Sequence, residues 1–181
     1  METTLQFGPA EIEPAIERLA AELTPHLPVG APFGLLGIAN GGVPFARRLG
    51  AALEKAGVNA LPLGVIDVVF SRDDVALAPI PKTSLPTNIP FDVDGATVIL
   101  ADDVIFSGRT ARAALEELFH HGRPARVMLV TLFDRGGRKL PLQPDLTGFV
   151  KEVPAVTKVR VMLADQPSDK DGIYFLPTAQ S

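Results

Sequence analysis

The sequence predicts an α/β fold: a mainly parallel, twisted sheet flanked by helices, with a late antiparallel or edge-strand portion. Three observations predict it. Apolar runs of strand length, bounded by turn-forming residues, recur at residues 33–38, 64–70, 98–101 and 127–133. Helical patterns alternate with these runs through residue 133, which is how helices wind around a parallel sheet. Late in the chain, residues 156–163 show partial alternation with Lys158 and Arg160 on one face, as expected of an edge strand.

Residues 9–23 carry Ile12, Ala15, Ile16, Leu19, Ala20 and Leu23, a 3.6-residue stripe that predicts a packing helix. Pro25, Pro28, Gly30 and Pro32 then break the chain. The run 33–38 reads as the first buried strand. Ala39-Asn40-Gly41-Gly42 follows, leading into a helix over about residues 43–56. A strand, a glycine loop and a helix N-terminus in that order suit an anion. Gly41 and Gly42 permit positive φ or close backbone approach to a ligand.

The next strand, 64–70, contains one charge, Asp67. Residues 75–90 hold Pro79, Pro81, Pro86 and Pro90 without helical or strand period. So long an irregular stretch inside a compact domain reads as a flexible lid at about 73–90, the alternative being a mobile surface loop.

The run 98–101 has the four apolar or small residues of a central strand, expected to end at the adjacent carboxylates Asp102 and Asp103. Val104, Ile105 and Phe106 lead to Ser107-Gly108-Arg109-Thr110, which runs into a helix over 111–119. Beyond a strand's carboxyl end and before a helix N-terminus is where ligands bind in an open α/β sheet. Backbone N–H groups there, with Gly108 allowing close approach and the Ser107 and Thr110 hydroxyls beside them, form a phosphate cradle. The carboxylates call for substrate hydroxyls or a hard divalent cation such as Mg²⁺.

His121-Gly122 and Pro124 close that helix, and strand 127–133 leads to Asp134-Arg135-Gly136-Gly137-Arg138-Lys139, another loop at the ligand edge. Residues 146–150 and 156–163 are expected to form a late sheet, closed by a short strand at 173–176.

At 181 residues, 46% hydrophobic and 21% charged, the chain is expected to form a single globular domain, 1–181. No apolar run is long enough to span a bilayer, and no basic-then-apolar leader opens the chain, so no membrane association is expected. The lack of cysteine excludes disulfides and thiolate metal sites and fits a cytoplasmic location. A net charge of −4 argues against a wholly basic nucleic-acid-binding surface and leaves room for a local patch. His26, His120 and His121 lie near helix ends, where capping or exposure is expected, and no nucleophile stands out.

The block from Val98 to Thr110 resembles the phosphoribosyl-pyrophosphate (PRPP) signature of the type I phosphoribosyltransferases: a hydrophobic strand, two acids and a Ser/Thr-Gly-x-Thr loop. Residues 64–75, 89–95 and 121–124, and above all Asp134-Arg-Gly-Gly-Arg138 with Leu140-Pro141, extend the resemblance to the PyrR family. That family joins regulation of pyrimidine-operon attenuation to uracil phosphoribosyltransferase activity. The resemblance implies a type I phosphoribosyltransferase fold and the reaction of uracil with PRPP to give UMP and pyrophosphate, in the presence of Mg²⁺.

It further implies that Asp102 and Asp103 hold the ribose hydroxyls, directly or through Mg²⁺, and that Val104 to Thr110 receive the 5′-phosphate. Asn40, Gly41 and Gly42 would meet the pyrophosphate, with Arg72 neutralising its charge from the root of the lid. Main-chain groups near Asp134, Arg135 and Arg138 would read the base. Expected partners are PRPP, uracil, UMP- or UTP-type nucleotides, an mRNA leader and further copies of the chain in a homo-oligomer. Arg123, Arg126, Lys151, Lys158 and Arg160 are candidates for the RNA face.

Relatives carry a basic residue in the loop at 39–42, and Gly137 stands where a histidine is usual. Slow turnover is therefore expected, and an arginine at position 41 would be expected to restore about tenfold in kcat/KM. Two alternatives remain open at this point: a catalytically weak, nucleotide-dependent RNA-binding regulator, and a phosphoribosyltransferase for a different base.

Overall fold

The computed structural model describes residues 3–59, 61–68 and 86–177. Arg72 and residues 73–85 of the expected lid lie outside the described residues. The elements follow in the order β1 (Thr4–Phe7), α1 (Pro9–Leu23), β2 (Phe33–Ile38), α2 (Gly42–Lys55), β3 (Leu63–Ile66), β4 (Thr97–Ile105), α3 (Arg109–His120), β5 (Arg126–Asp134), β6 (Leu146–Val150), β7 (Thr157–Met162) and β8 (Gly172–Pro177).

Five strands form a parallel sheet in the order β3-β2-β4-β5-β6. From β2 the chain moves outward to β3, then returns to place β4 on the other side of β2. Strand order therefore reverses between β2 and β4, opening a crevice at their carboxyl ends. Both faces are covered. Ile99 and Ala101 of β4 pack in one core with Ile12, Ile16 and Leu19 of α1 and Phe45 and Leu49 of α2. Val98 and Leu100 pack in the other with Ala111, Ala114 and Leu118 of α3. Burial on both sides is why these strands read as continuous apolar runs.

A separate antiparallel sheet, β1-β8-β7, packs against the first core through Phe7, Val159, Val161 and Phe175. The Phe7 ring stacks on Phe149 at 4.2 Å, and Phe175 meets Phe133 edge-on at 5.9 Å. Phe133 and Phe149 are paired near the carboxyl ends of β5 and β6, so the small sheet lies over the edge that carries the crevice.

Two expectations are corrected, and one strand was not foreseen. Strand β4 does not end at the acidic pair; its pairing with β5 continues through Val104 and Ile105. Residues 146–150 do not join a late sheet but extend the parallel one, because Leu146, Thr147 and Phe149 continue the ladder from β5. Strand β1 was not foreseen, since four residues give too short a period to read and their partner, β8, lies some 170 residues away. Within the expected lid, Asn88 forms an antiparallel bridge with Val65, each N–H donating to the other's carbonyl at 2.8 Å.

Candidate functional site

Two cavities flank the carboxyl end of β4. The first, about 460 Å³, is lined by Asp102, residues 104–111 and Lys139. The second, about 390 Å³, lies between Asp103 and Val104 and the small sheet, where Lys158, Val159, Arg160, Val161 and Leu176 line it. The acidic pair is thus the junction, with one carboxylate lining each cavity.

The pair is tightly held. The Asp103 N–H donates to Asp102 Oδ1 at 3.1 Å, and the Val104 N–H donates to Asp103 Oδ1 at 3.0 Å. Burial pushes the Asp103 carboxyl above the usual range, against hydrogen bonds with the Asp102 side chain and with main-chain N–H groups. A carboxylate in that condition gains from any cation or hydroxyl donor that arrives.

In the first cavity, Gly108 adopts φ +90° at the N-cap of α3, the left-handed region where a side chain is strained. That turn aims the first amides of α3, which have no intrahelical carbonyl to meet, into the cavity beside Ser107 and Thr110. Gly108→Ala is expected to cost about 1–2 kcal/mol in urea unfolding and to weaken binding of a phosphorylated ligand; equal stability of the two proteins would contradict the assigned turn.

The loop after β5 clamps this cradle from outside. The Ser107 carbonyl accepts the N–H groups of Lys139 and Leu140 at 3.0 and 3.1 Å. Arg138 pairs with Asp134, donates from Nη1 to the Phe106 carbonyl at 2.7 Å, and donates from Nε to the Leu142 carbonyl at 3.0 Å. Arg135 is buried; it donates to the Pro154 carbonyl at 3.0 Å and lies 4.3 Å from the centre of the Phe106 ring. Burial holds its pKa below the usual arginine value. The side chains of Asp134, Arg135 and Arg138 are therefore engaged in shaping the loop, and what the loop has to offer a ligand is its main chain and Lys139, which lines the first cavity.

Asn40 and Gly41 are exposed at the crevice, and the Ala39–Asn40 peptide is cis. Gly41 and Gly42 are needed for clearance, not for positive φ: Gly41 is helical at φ −65°. A Cβ on Gly41 would overlap the Asp103 carboxylate, and one on Gly42 would overlap the Ala101 carbonyl. A side chain at position 41 therefore requires the Asp103 carboxylate to move, which bears on the expected gain from an arginine there.

Among the described residues, no group of three or more His, Asp or Glu forms a metal centre. Asp102 and Asp103 fit the way Mg²⁺ is usually held, by one or two carboxylates with substrate phosphates completing the shell. The expected RNA residues do not form one patch. Arg126 is at the amino end of β5, opposite Thr97, whereas Lys158 and Arg160 line the second cavity at the carboxyl edge. Arg123 caps the end of α3 through the Phe119 carbonyl at 2.6 Å. Lys151 is bonded to Gln6 at 2.7 Å. His120 and His121 are exposed and flank Glu117, as expected of helix-end residues.

Lys139 was missed as a lining residue, and Val159, Val161 and Leu176 were missed altogether. Val159 and Val161 look like ordinary core residues in sequence, and only the small sheet's position brings their strand to Asp103. Among the described residues no helix is long and apolar enough to cross a membrane.

Residues 9–161 match the phosphoribosyl transferase domain family. The bifunctional protein PyrR of Roseiflexus sp. (strain RS-1) is 39% identical over 170 residues, covering 93% of this chain and 92% of that protein. The protein of the same name from Thermosynechococcus vestitus is 45% identical over 143 residues, covering 77% and 75%. The crystal structure of the hypoxanthine phosphoribosyltransferase of Trypanosoma cruzi matches with a TM-score of 0.71 over 97% of both chains. Its 20% identity speaks for the fold alone.

Proposed function

The chain belongs to the phosphoribosyl transferase domain family and, within it, to the bifunctional PyrR proteins, and from that premise we propose that it transfers the phosphoribosyl group of PRPP to uracil, releasing pyrophosphate and forming UMP. The observation that carries this reading is the acidic pair at the junction of two cavities in the β2/β4 crevice. PRPP has a phosphate at one end, a ribose in the middle and a leaving pyrophosphate at the other. The first cavity suits the 5′-phosphate, through the amides and hydroxyls of Ser107, Gly108, Arg109 and Thr110. Asp102 and Asp103 suit the ribose hydroxyls. The second cavity and residues 39–42 are left for the pyrophosphate end, and the main chain of residues 134–138 for the base.

In the reaction the bond from C1′ to the pyrophosphate oxygen breaks and a bond from C1′ to uracil N1 forms, with the N1 proton lost to solvent. Positive charge on the sugar builds as in glycoside cleavage. Asp102 and Asp103 orient the ribose and lower the cost of that charge, while the amides at 108–111 fix the phosphate; positioning of this kind is worth up to about 7–11 kcal/mol. Asp102 and Asp103 are the residues that would hold a Mg²⁺ ion brought in with PRPP, which would supply charge neutralisation on the pyrophosphate.

Asp103→Asn is expected to lower kcat/KM for PRPP at least about tenfold without loss of thermal stability, because the amide keeps the shape and removes a charge disfavoured by burial. Unchanged kinetics would remove Asp103 from the site. The reading as a whole is tested by pyrophosphate release with PRPP, Mg²⁺ and, in turn, uracil, orotate, hypoxanthine and guanine. Uracil is expected to be preferred; preference for another base would replace the substrate, and no release with any base would favour the second reading.

That second reading is a nucleotide-dependent regulator of an mRNA leader with weak turnover. It is favoured by one observation, the absence of any charged residue in Ala39-Asn40-Gly41-Gly42. Its signature would be leader-RNA binding in the presence of UMP that falls steeply with salt.

A further inference from the structure

Pyrophosphate leaving C1′ carries several negative charges, and the loop beside it supplies amides and Asn40 but no cation. A side chain at position 41 would meet the Asp103 carboxylate, which would have to shift to admit it. Besides Arg72, which the sequence places at the root of the lid, another element can bring a cation to the leaving group. The second cavity has two. Lys158 and Arg160, on β7, line it together with Asp103 and Val104. Both are exposed, and neither has an ion-pair partner among the described residues. β7 is an edge strand, paired on one side with β8, so its other edge is left for the cavity. Val159 and Val161, partly buried against the first core, line the cavity beside the two cations.

We infer that Lys158 and Arg160 receive the pyrophosphate, taking over from the small sheet the charge that the 39–42 loop lacks. This rests on the phosphoribosyltransferase reading and adds to it the groups that neutralise the leaving anion. The chemistry fits the residue types. Arg160 offers a planar fork for two phosphate oxygens, and Lys158 offers a mobile point charge able to follow the group as it departs. Asp103 is the third ionisable side chain lining the cavity. An anion bearing Mg²⁺ would bring positive charge to Asp103 and negative charge to Lys158 and Arg160, so all three are matched at once.

The test is calorimetric titration of the full-length chain with inorganic pyrophosphate plus Mg²⁺, and separately with UMP. It compares wild type, Lys158→Met, Arg160→Met and the double variant. UMP has no pyrophosphate, so it reports on the 5′-phosphate cradle and on folding. Each single substitution is expected to weaken pyrophosphate about tenfold, and the double at least about thirtyfold, since charge-assisted bonds are lost. UMP affinity should stay within about threefold, because its phosphate sits on α3. Lys158→Arg should retain most of the pyrophosphate affinity. Unchanged pyrophosphate affinity in the double variant would overturn the inference while leaving the enzyme reading standing, provided wild type still turns over PRPP. Equal losses for UMP and pyrophosphate would also overturn it, by showing that the two residues support the fold or the nucleotide in general. So would a loss confined to leader-RNA binding, which would assign them to an RNA face. A wild type that binds neither pyrophosphate nor UMP would overturn both the inference and the reading beneath it.

Discussion

Arg48→Met is expected to destabilise the protein by about 3–5 kcal/mol, the range for removing one partner of a buried ion pair. Arg48 lies on α2 and is 5% exposed. Its Nη1 donates to Asp171 Oδ2 at 2.7 Å, and its Nη2 pairs with Glu13 of α1. Asp171, 3% exposed in the turn between β7 and β8, also accepts the N–H groups of Ala164 and Ser168 at 3.0 and 3.1 Å. This triad ties the small sheet to both helices of the first core, and α2 begins at the Gly41-Gly42 loop. Methionine would leave Asp171 buried without its guanidinium partner.

The pH dependence has a definite sign. Burial acts to raise the Asp171 carboxyl, but the Ala164 N–H, Arg48 and the Ser168 N–H outweigh it and hold the group below its ordinary value. A depressed carboxylate contributes stability that is present above its unfolded value, about 3.9, and lost as pH falls through the folded value. The difference between wild type and Arg48→Met in urea unfolding should therefore be largest near neutrality and shrink on acidification. Adding Asp171→Asn to the variant should recover part of the loss. A loss under about 1 kcal/mol, the size of an exposed pair, would show that the triad does not hold the two layers together.

Gly41→Arg is expected to lower kcat/KM for PRPP at least about a hundredfold, the scale of a displacement near 1 Å in a reacting centre. Sequence alone points the other way, toward a gain from a restored charge. The reversal has a single cause: the Cβ overlaps the Asp103 carboxylate, whatever lies beyond it. Gly41→Ala should therefore also lose activity, although it adds no charge. Steady-state kinetics with thermal melting of both variants would check this. A faster, well-folded Gly41→Arg would mean that the loop moves away from Asp103 in the working enzyme.

The sequence revealed what is local. The stripe from Ile12 to Leu23 marks α1 at its observed bounds, Pro9–Leu23, and the run Phe33–Ile38 is β2 as observed. The phosphate cradle was legible because Gly108, Ser107 and Thr110 adjoin one another and act through one turn. Other features depend on partners far along the chain. Nothing near Arg48 in sequence marks it as buried; its partner Asp171 lies 123 residues away. Lys158 and Arg160 read as the outer face of an edge strand until the small sheet sets them over Asp103, 55 residues earlier than Lys158. The support that the Arg135 and Arg138 side chains give their loop was not legible, because their acceptors are the carbonyls of Phe106, Leu142 and Pro154 and the Asp134 carboxylate.

The central claim is that PRPP lies along the β2/β4 crevice, its 5′-phosphate on the N-terminus of α3 and its pyrophosphate beside Gly41 and Asp103. Amide NMR of the 19.2-kDa chain during titration with Mg²⁺ and PRPP tests this most directly. The largest shift changes are expected at the amides of Gly108, Thr110 and Ala111, together with Gly41, Gly42 and Asp103. UMP, which carries the ribose but no pyrophosphate, should reproduce the first group and the change at Asp103 and leave Gly41 and Gly42 nearly unmoved. Changes centred on Arg123 and Arg126 at the other end of the sheet, or none at saturating PRPP, would contradict the account.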